Sequence, residues 1–214
     1  MIYHVAVLGA SGRMGKEVCD LATKRYPVDD DFFDLGSAET ANIWVDFSQP
    51  DATMNLLPSL QIPIVIGTTG FSPAQMEEIR QHSKRIGILV APNLSPGMNH
   101  LVKILRTSGL VSDANFDIAA TETHHVHKKD SPSGTLKRLL GILGERGRKE
   151  VQTHSLRLGE VLGQHSLKFV SNCEEITISH EVLDRRVFAY GALQAAHRLL
   201  KRNEPGFYRL EDLL

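Results

Sequence analysis

A short apolar run, Val5 to Leu8, ends in GASGRMG at Gly9 to Gly15, and Lys16 to Thr23 continues with helical character. Strand, glycine turn and helix in that order restrict the start of the chain to a parallel α/β unit. In such a turn small residues let the backbone approach a pyrophosphate, whose charge is met by the N–H groups and positive dipole end of the next helix. The spacing is G-x-x-G-x-x-G, with Ser11 where the common dinucleotide fingerprint has its second glycine, so taken alone it fits a tight structural turn equally well.

Three further apolar strands follow: Ile43 to Phe47, Pro63 to Ile66 before GTTG at Gly67 to Gly70, and Ile86 to Ala91 before PNLSPG. Helical stretches separate them, which predicts a Rossmann-like parallel sheet whose ligands bind beyond the carboxyl ends of its strands. Gly67, Thr68, Thr69 and Asn93 then line the same crevice as the glycine turn. GTTG read by itself is a turn before a helix that starts near Ser72 and Pro73. Between a first helix ending near Arg25 and the strand at Ile43, about seventeen residues remain. A dinucleotide fold places a strand there, ending in an acid for the ribose ~20 residues beyond the glycines. Asp34 is the nearest candidate, Asp29 to Asp31 read equally as a solvated turn, and the choice between NAD and NADP stays open.

Composition narrows the class. With 214 residues, 42% hydrophobic, 23% charged and a net charge of -1, the chain reads as a soluble globular protein of one large or two small domains. Its longest apolar runs, Ile62 to Ile66 and Ile86 to Val90, are strand-sized and far short of the ~20 residues of a membrane-spanning helix. MIYHVAVLGASG leads directly into a strand, leaving no room for a signal peptide, and the expected location is the cytoplasm. Cys19 and Cys173 match neither a redox pair nor a metal spacing and are expected as reduced, partly buried thiols. The near-neutral charge argues against nucleic acid as a partner.

The second half carries a dense charged cluster, HHVHKKDSPSGT, from His124 to Thr135. Phe116, Ile118 and Ala120 alternate ahead of it as on a half-buried strand. If that strand runs on, His124 and His125 point to opposite faces and His125 shares a side with His127. Pro132 breaks the chain, and Ser133 is an N-cap ahead of Leu136, Leu139, Leu140 and Leu143 at helical spacing. The N–H groups of Gly134 and Thr135, with Lys128, could then hold a carboxylate. Histidines two apart could also share a metal. Lys128 and Lys129 put positive charge beside such an ion and no acidic or thiolate ligand stands close by, so no metal is expected. A purely structural reading, with satisfied histidines and a helix cap, stays open. Farther on, RLGEVLGQHSLKFV, EEITISHEVL and RRVFAYG read as strands of a mixed or antiparallel sheet, covered by the Thr135 helix on one side and by a neighbouring subunit on the other. A last helix, Gly191 to Lys201, is expected to return to the first lobe. The organisation is therefore residues 1–97 for a dinucleotide, 98–190 for substrate and oligomerisation, and 191–214 packing back on the first part.

The order of motifs resembles the 4-hydroxy-tetrahydrodipicolinate reductase (dihydrodipicolinate reductase) family of diaminopimelate and lysine biosynthesis. The likeness spans almost the whole chain. It rests on GASGRMG, DFSQP at Asp46 to Pro50, GTTGF at Gly67 to Phe71, APNLSPGMN at Ala91 to Asn99, ETHHVHKKDSPSGT at Glu122 to Thr135, RLGEVLGQH at Arg157 to His165 and FAYGALQAA at Phe188 to Ala196. The resemblance implies hydride transfer from NADH or NADPH to a cyclic imine dicarboxylate in a homotetrameric enzyme. By position, His124 takes the general acid/base place and Lys128 that of a second proton donor. His125, Gly134 and Thr135 match substrate-binding places, with Ser133 beside them. Gly9, Ala10, Ser11, Gly12, Arg13 and Met14, then Gly67, Thr68 and Thr69, and Ala91, Pro92, Asn93 and Leu94 match cofactor-binding stretches. This chain departs from the family pattern in three places: most of the second strand and its loop is expected to be missing over residues 26–42, Glu150 to Leu156 replace a longer connection, and Leu183 and Asp184 stand where small residues are common. The rival readings are a chain of the same fold that only senses a dinucleotide or metabolite, and a reductase of another cyclic imine.

Overall fold

The computed structural model describes residues 1–213. In chain order the elements are β1 (Ile2–Leu8), α1 (Arg13–Thr23), β2 (Pro27–Val28), β3 (Asp31–Leu35), β4 (Ile43–Asp46), α2 (Pro50–Leu56), β5 (Ile64–Ile66), α3 (Pro73–His82), β6 (Gly87–Val90) and α4 (Pro96–Thr107). They continue with β7 (Asp117–His124), α5 (Gly134–Glu145), β8 (Gln152–Arg157), β9 (Gln164–Val170), β10 (Glu175–Glu181), α6 (Arg186–Arg202) and β11 (Gly206–Tyr208). Two compact units result: Met1–Pro96 together with 186–213, and Gly97–Arg185. Among the described residues no helix is long and apolar enough to cross a membrane.

The first unit is built on a seven-stranded sheet in the order β11-β6-β5-β4-β1-β3-β2, parallel except for the β2–β3 hairpin. Its central strands are buried on both faces. In β5, Ile64 and Ile66 feed a core with Leu57, Ile79 and Ile88, while Val65 between them faces Val18, Leu89 and Leu193. That alternation makes the sheet doubly covered, with α1 and α6 supplying apolar residues to the second core.

Three expectations change here. The second strand is present: β3 lies parallel to β1 across four paired residues, and Asp31 on it is buried, bonded to His197 Nε2 at 2.8 Å and Lys201 Nζ at 2.9 Å, not solvated. RRVFAYG is, from Arg186 on, the start of α6 and not a strand. Ala189, Ala192, Ala195, Ala196 and Leu199 repeat at helical spacing on its buried side, and that long pattern outweighs a few alternating residues. Cys173 is exposed, although Cys19 is half-buried.

The second unit has a four-stranded sheet in the order β10-β9-β7-β8, mixed because β7 and β8 are parallel while the other pairs are antiparallel. Ile118, Ala120, Leu167 and Phe169 on one face pack with Leu101 and Leu105 of α4 and Leu136, Leu139 and Leu143 of α5. The other face carries Ala119, Thr121, Ser166 and Lys168, with Val170 and Leu156 exposed.

Candidate active site

In the first unit the glycine turn is shaped by contacts that only glycine permits. Gly9 has φ +83°, and a Cβ there would lie 2.6 Å from the Phe47 carbonyl oxygen. A Cβ on Gly15 would overlap the Gly9 carbonyl, so α1 starts directly against the turn. Gly12 is the N-cap of α1 and supplies no side chain to its first-turn N–H groups, while Ala10 to Arg13 are exposed. An anion can therefore reach that dipole end.

Beside it, Arg13, Met14, Phe47, Ser48, Gly67, Thr68 and Thr69 line a cavity of about 320 Å³. The loops around it are pinned by Asp46, which is fully buried at the end of β4. Its Oδ1 accepts from Ser48 N at 2.8 Å, Ser48 Oγ at 2.6 Å and Thr68 Oγ1 at 2.8 Å, and its Oδ2 accepts from Thr53 Oγ1 at 2.5 Å. Sequence reasoning gave Asp46 no role, although an acid closing a run of apolar strand residues was a visible signal. Of the 91–94 stretch, Ala91 and Leu94 are buried, Pro92 is exposed, and Asn93 Oδ1 accepts from Ser95 N at 2.9 Å.

The ribose candidate fares differently. Asp34 pairs in register with His4, four residues before β1 ends at Leu8, which at ~3.3 Å per residue places it roughly 13 Å short of the glycine turn. Its carboxylate accepts from Arg25 Nη2 at 3.0 Å and Nε at 3.2 Å, and from Leu35 N at 2.9 Å. Arg25, then the Leu35 N–H, hold its carboxyl below the ordinary range. Asp34 is committed at the wrong level of the strand.

In the second unit, sheet register assembles the charged cluster. The buried face of β7 runs Ile118, Ala120, Glu122, His124, so an apolar stripe ends in a carboxylate and an imidazole. Glu122 stands opposite His165 of β9 and Ser155 of β8, and His124 opposite Arg157. Four strand residues and the start of α5 thus converge on one carboxylate. Glu122 Oε1 accepts from Ser133 N at 2.9 Å, Ser155 Oγ at 2.8 Å and Arg157 Nη2 at 3.3 Å. Its Oε2 lies 3.6 Å from His124 Nδ1 and 3.7 Å from His165 Nε2. The two imidazoles meet edge to face at 5.2 Å.

Burial works to raise the Glu122 pKa, but the Ser133 and Ser155 donors outweigh it and hold the carboxyl below its usual range. His124 is lowered, first by burial, against the raising effect of Glu122. His165 is pushed from 6.5 down to about 4, first by burial and then by His124. A stability cost in acid follows from that last shift. Between pH 6.5 and about 4 the unfolded imidazole binds a proton that the folded one refuses. The contribution of neutral His165, complete above pH 6.5, is lost as pH falls, by roughly 3 kcal/mol in all. Urea unfolding at neutral pH and in mild acid checks it: the loss in acid should shrink in His165→Gln, and an identical loss in both proteins would refute the assignment.

The strand stops at His124, and this overturns the expected parity. Residues 125–128 form a turn, with Lys128 N donating to the His125 carbonyl at 3.1 Å, so His125 and His127 are neighbours across a turn (ring centroids 6.1 Å) and not along a strand face. Lys128 is half-buried with Nζ 2.7 Å from Asp130 Oδ1. Burial pushes the Asp130 pKa up, but Lys128 and backbone donors, Gly134 among them, hold it low. Arg157 fixes this loop through carbonyls, donating to Lys128 O at 3.3 Å and Asp130 O at 2.5 Å. Ser133 caps α5 through its Oγ, which accepts from Leu136 N at 3.1 Å and meets His165 Nε2 at 3.3 Å. Gly134 faces open space, where an added Cβ would meet nothing within 4 Å. An acid does stand close to the histidines. Glu122, His124 and His165 each offer a ligand atom, all within 4.8 Å of one another, which corrects the premise that no carboxylate is near. Glu122, Ser155, Arg157 and His165 are the residues that sequence reasoning passed over, though three of them sit in step with Ala120 on the strand or in the quoted RLGEVLGQH segment.

A sequence profile described as dihydrodipicolinate reductase, C-terminus, matches residues 97–214, more than half of the chain. The chain belongs to the dihydrodipicolinate reductase family. The N-terminal profile of that family matches residues 21–94. Among relatives, the 4-hydroxy-tetrahydrodipicolinate reductase of Alkaliphilus oremlandii is 36% identical, with 97% of each chain covered. That of Bdellovibrio bacteriovorus is 34% identical, covering 98% of this chain and 95% of the relative. The dipicolinate-bound dihydrodipicolinate reductase of Paenisporosarcina sp. TG-14 superimposes with a TM-score of 0.76 at 21% identity, covering 100% of both chains, and shares the fold.

Proposed function

We propose that this chain reduces 4-hydroxy-tetrahydrodipicolinate to tetrahydrodipicolinate with NADH or NADPH, in diaminopimelate and lysine biosynthesis. The observation that carries this reading is a buried imidazole, His124, backed by an ionised carboxylate and followed at once by Lys128 and the open start of α5. A chain that only sensed a metabolite would have no use for that buried acid–histidine pair. We assign residues 1–97 to the dinucleotide, 98–190 to the substrate and 191–214 to the dinucleotide-binding part, the C-terminal return beginning in the structure at Arg186.

The glycine cradle fits a dinucleotide: a side chain at Gly9 or Gly15 would collide with the backbone that shapes the turn, and the uncapped first turn of α1 suits a pyrophosphate. Gly9 to Met14, Gly67 to Thr69 and Ala91 to Leu94 are assigned to it. When bound, the nicotinamide supplies the hydride. Lys128 and the N–H groups of Gly134 and Thr135 hold a ring carboxylate, which takes the place of the Asp130 carboxylate on Lys128 and Gly134, with His125 and Ser133 at its border. The 4-hydroxyl leaves as water to give a conjugated ring; once that ring has gained a hydride it is electron-rich, and His124 delivers the proton that completes the reduction, with Lys128 as second donor. The deciding experiment supplies freshly generated substrate with each nicotinamide and follows its oxidation. No turnover with either would sink this assignment.

For the cofactor, Arg25 is spent on Asp34, and Glu39 is the one charged residue between Leu35 and Asn42. No cation of that segment can reward a 2′-phosphate. NADH is therefore expected to serve at least as well as NADPH in kcat/KM, and a preference for NADPH of about tenfold or more would contradict this. We also assign a homotetramer to the cytoplasm on the family reading, with the sheet face that bears Ala119, Thr121, Val170 and Leu156 as a subunit contact; sedimentation would test the oligomeric state.

A further inference from the structure

We infer that Glu122 is the positioning carboxylate of this site: it fixes which nitrogen of His124 carries the exchangeable proton, and it ties that imidazole to the turn at Ser133. The catalytic part of this inference rests on the reading above, but the choice of nitrogen does not.

The two oxygens of Glu122 have separate duties. All three fixed donors, Ser133 N, Ser155 Oγ and Arg157 Nη2, go to Oε1. Oε2 is buried with no conventional hydrogen bond, and so is His124 Nδ1, 3.6 Å away. Each is what the other lacks, an acceptor for a donor. A proton on Nδ1 points at Oε2, and the imidazole then presents Nε2, which lies beside Gly163: a Cβ built there would sit 3.2 Å from it. Any side chain at position 163 would crowd that nitrogen. Loose contacts of this kind in a substrate-free site tighten when charge develops.

The proton ledger closes on this arrangement. Imidazolium gives the Nε2 proton to the ring carbon, the N–H bond pair stays on Nε2 as its lone pair, and the neutral ring that remains keeps its proton on Nδ1, against Oε2. A carboxylate in this place favours both the charged donor and the correct neutral tautomer. The same carboxylate accepts from Ser133, whose turn offers the N–H groups that receive substrate. Donor and turn are thereby set by one group.

The groups that face His124 are Glu122 on its own strand, Lys128 and Asp130 from the loop, Arg157 on β8 and His165 on β9, with His180 of β10 acting on His165. Burial, Lys128 and Arg157 disfavour the charged imidazole, and Glu122 and Asp130 favour it. Glu122→Gln keeps an oxygen for the Ser133 and Ser155 donors but turns an amide toward Nδ1. Expected are a kcat lower by on the order of 10²–10³-fold at neutral pH and a KM within about threefold of the parent. The alkaline limb of kcat/KM, where His124 loses its proton, should move to lower pH. Nitrogen-detected NMR of the histidine rings should find neutral His124 protonated on Nδ1 in the parent and on Nε2 in the variant. Neutral His124 protonated on Nε2 in the parent would overturn the inference, and so would an unmoved alkaline limb in an active variant. A merely structural Glu122 would lower stability and leave that limb in place. The NMR measurement needs no turnover: if the parent protein proved inactive on this substrate, the functional reading would fall while the tautomer still decided the role of Glu122. It also needs no variant, so misfolding of Glu122→Gln leaves it decisive.

Discussion

His124→Gln is expected to lower kcat by on the order of 10³-fold while leaving KM and stability close to the parent values. The glutamine amide approximates the size of the imidazole and keeps a polar contact for Glu122 Oε2, but it cannot give up a proton near neutral pH. Binding should survive because the assigned carboxylate grip lies elsewhere, in Lys128 and the exposed start of α5. Lys128→Ala should do the reverse in part, raising KM, since its ammonium is a direct counter-charge. Steady-state kinetics of the two variants separate these effects. Retention of near-parental kcat in both would remove the proton-donor assignment without touching the family membership.

Gly15→Ala should produce the largest loss of stability of any single methyl added to the first unit's glycine turn. The new Cβ would fall on the Gly9 carbonyl, and α1 cannot retreat, because Val18 and Ala22 on the same helix are fully buried against the sheet. Overpacking against a backbone carbonyl has no flexible side chain to absorb it, so about 3 kcal/mol is expected. For a chain of this size that corresponds to a Tm drop of roughly 6–12 °C. Dinucleotide binding, measured by quenching or calorimetry, should be lost with it. Gly141→Ala is the matching control: it lies inside α5, and an added Cβ there meets nothing within 4 Å. It should be neutral or stabilise by up to ~1 kcal/mol. Equal Tm values for Gly15→Ala and the parent would show that the turn is not built as described.

Periodic signals survived translation into structure best. The strands at Val5, Ile43, Ile64 and Ile88 could be read because burial on both faces demands continuous apolar runs, and the Ser133 cap because a hydroxyl before a leucine-spaced helix has a local cause. Short or mixed patterns failed. RRVFAYG alternates over too few residues to outweigh the alanine stripe that follows it, and β3 hid in an acidic stretch because His197 and Lys201, more than 160 residues away, neutralise Asp31.

The sequence by itself determined the kind of chemistry on offer: a glycine turn opening a parallel sheet, three histidines and two lysines within a few residues, and a capped helix start beside them. These depend on neighbours within a turn or two, where local backbone preference and side-chain type suffice. Only the tertiary structure decided how the groups are paired. It brought Ser155, Arg157 and His165 onto Glu122 through cross-strand register, ended β7 at His124 so that His125 turned away, and placed Asp34 on Arg25 below the level of the glycine turn. A hydrogen bond between strands is set by which residues stand opposite each other in the sheet, and that register follows from packing the whole face of the sheet on α4 and α5, a constraint that no local stretch of sequence contains.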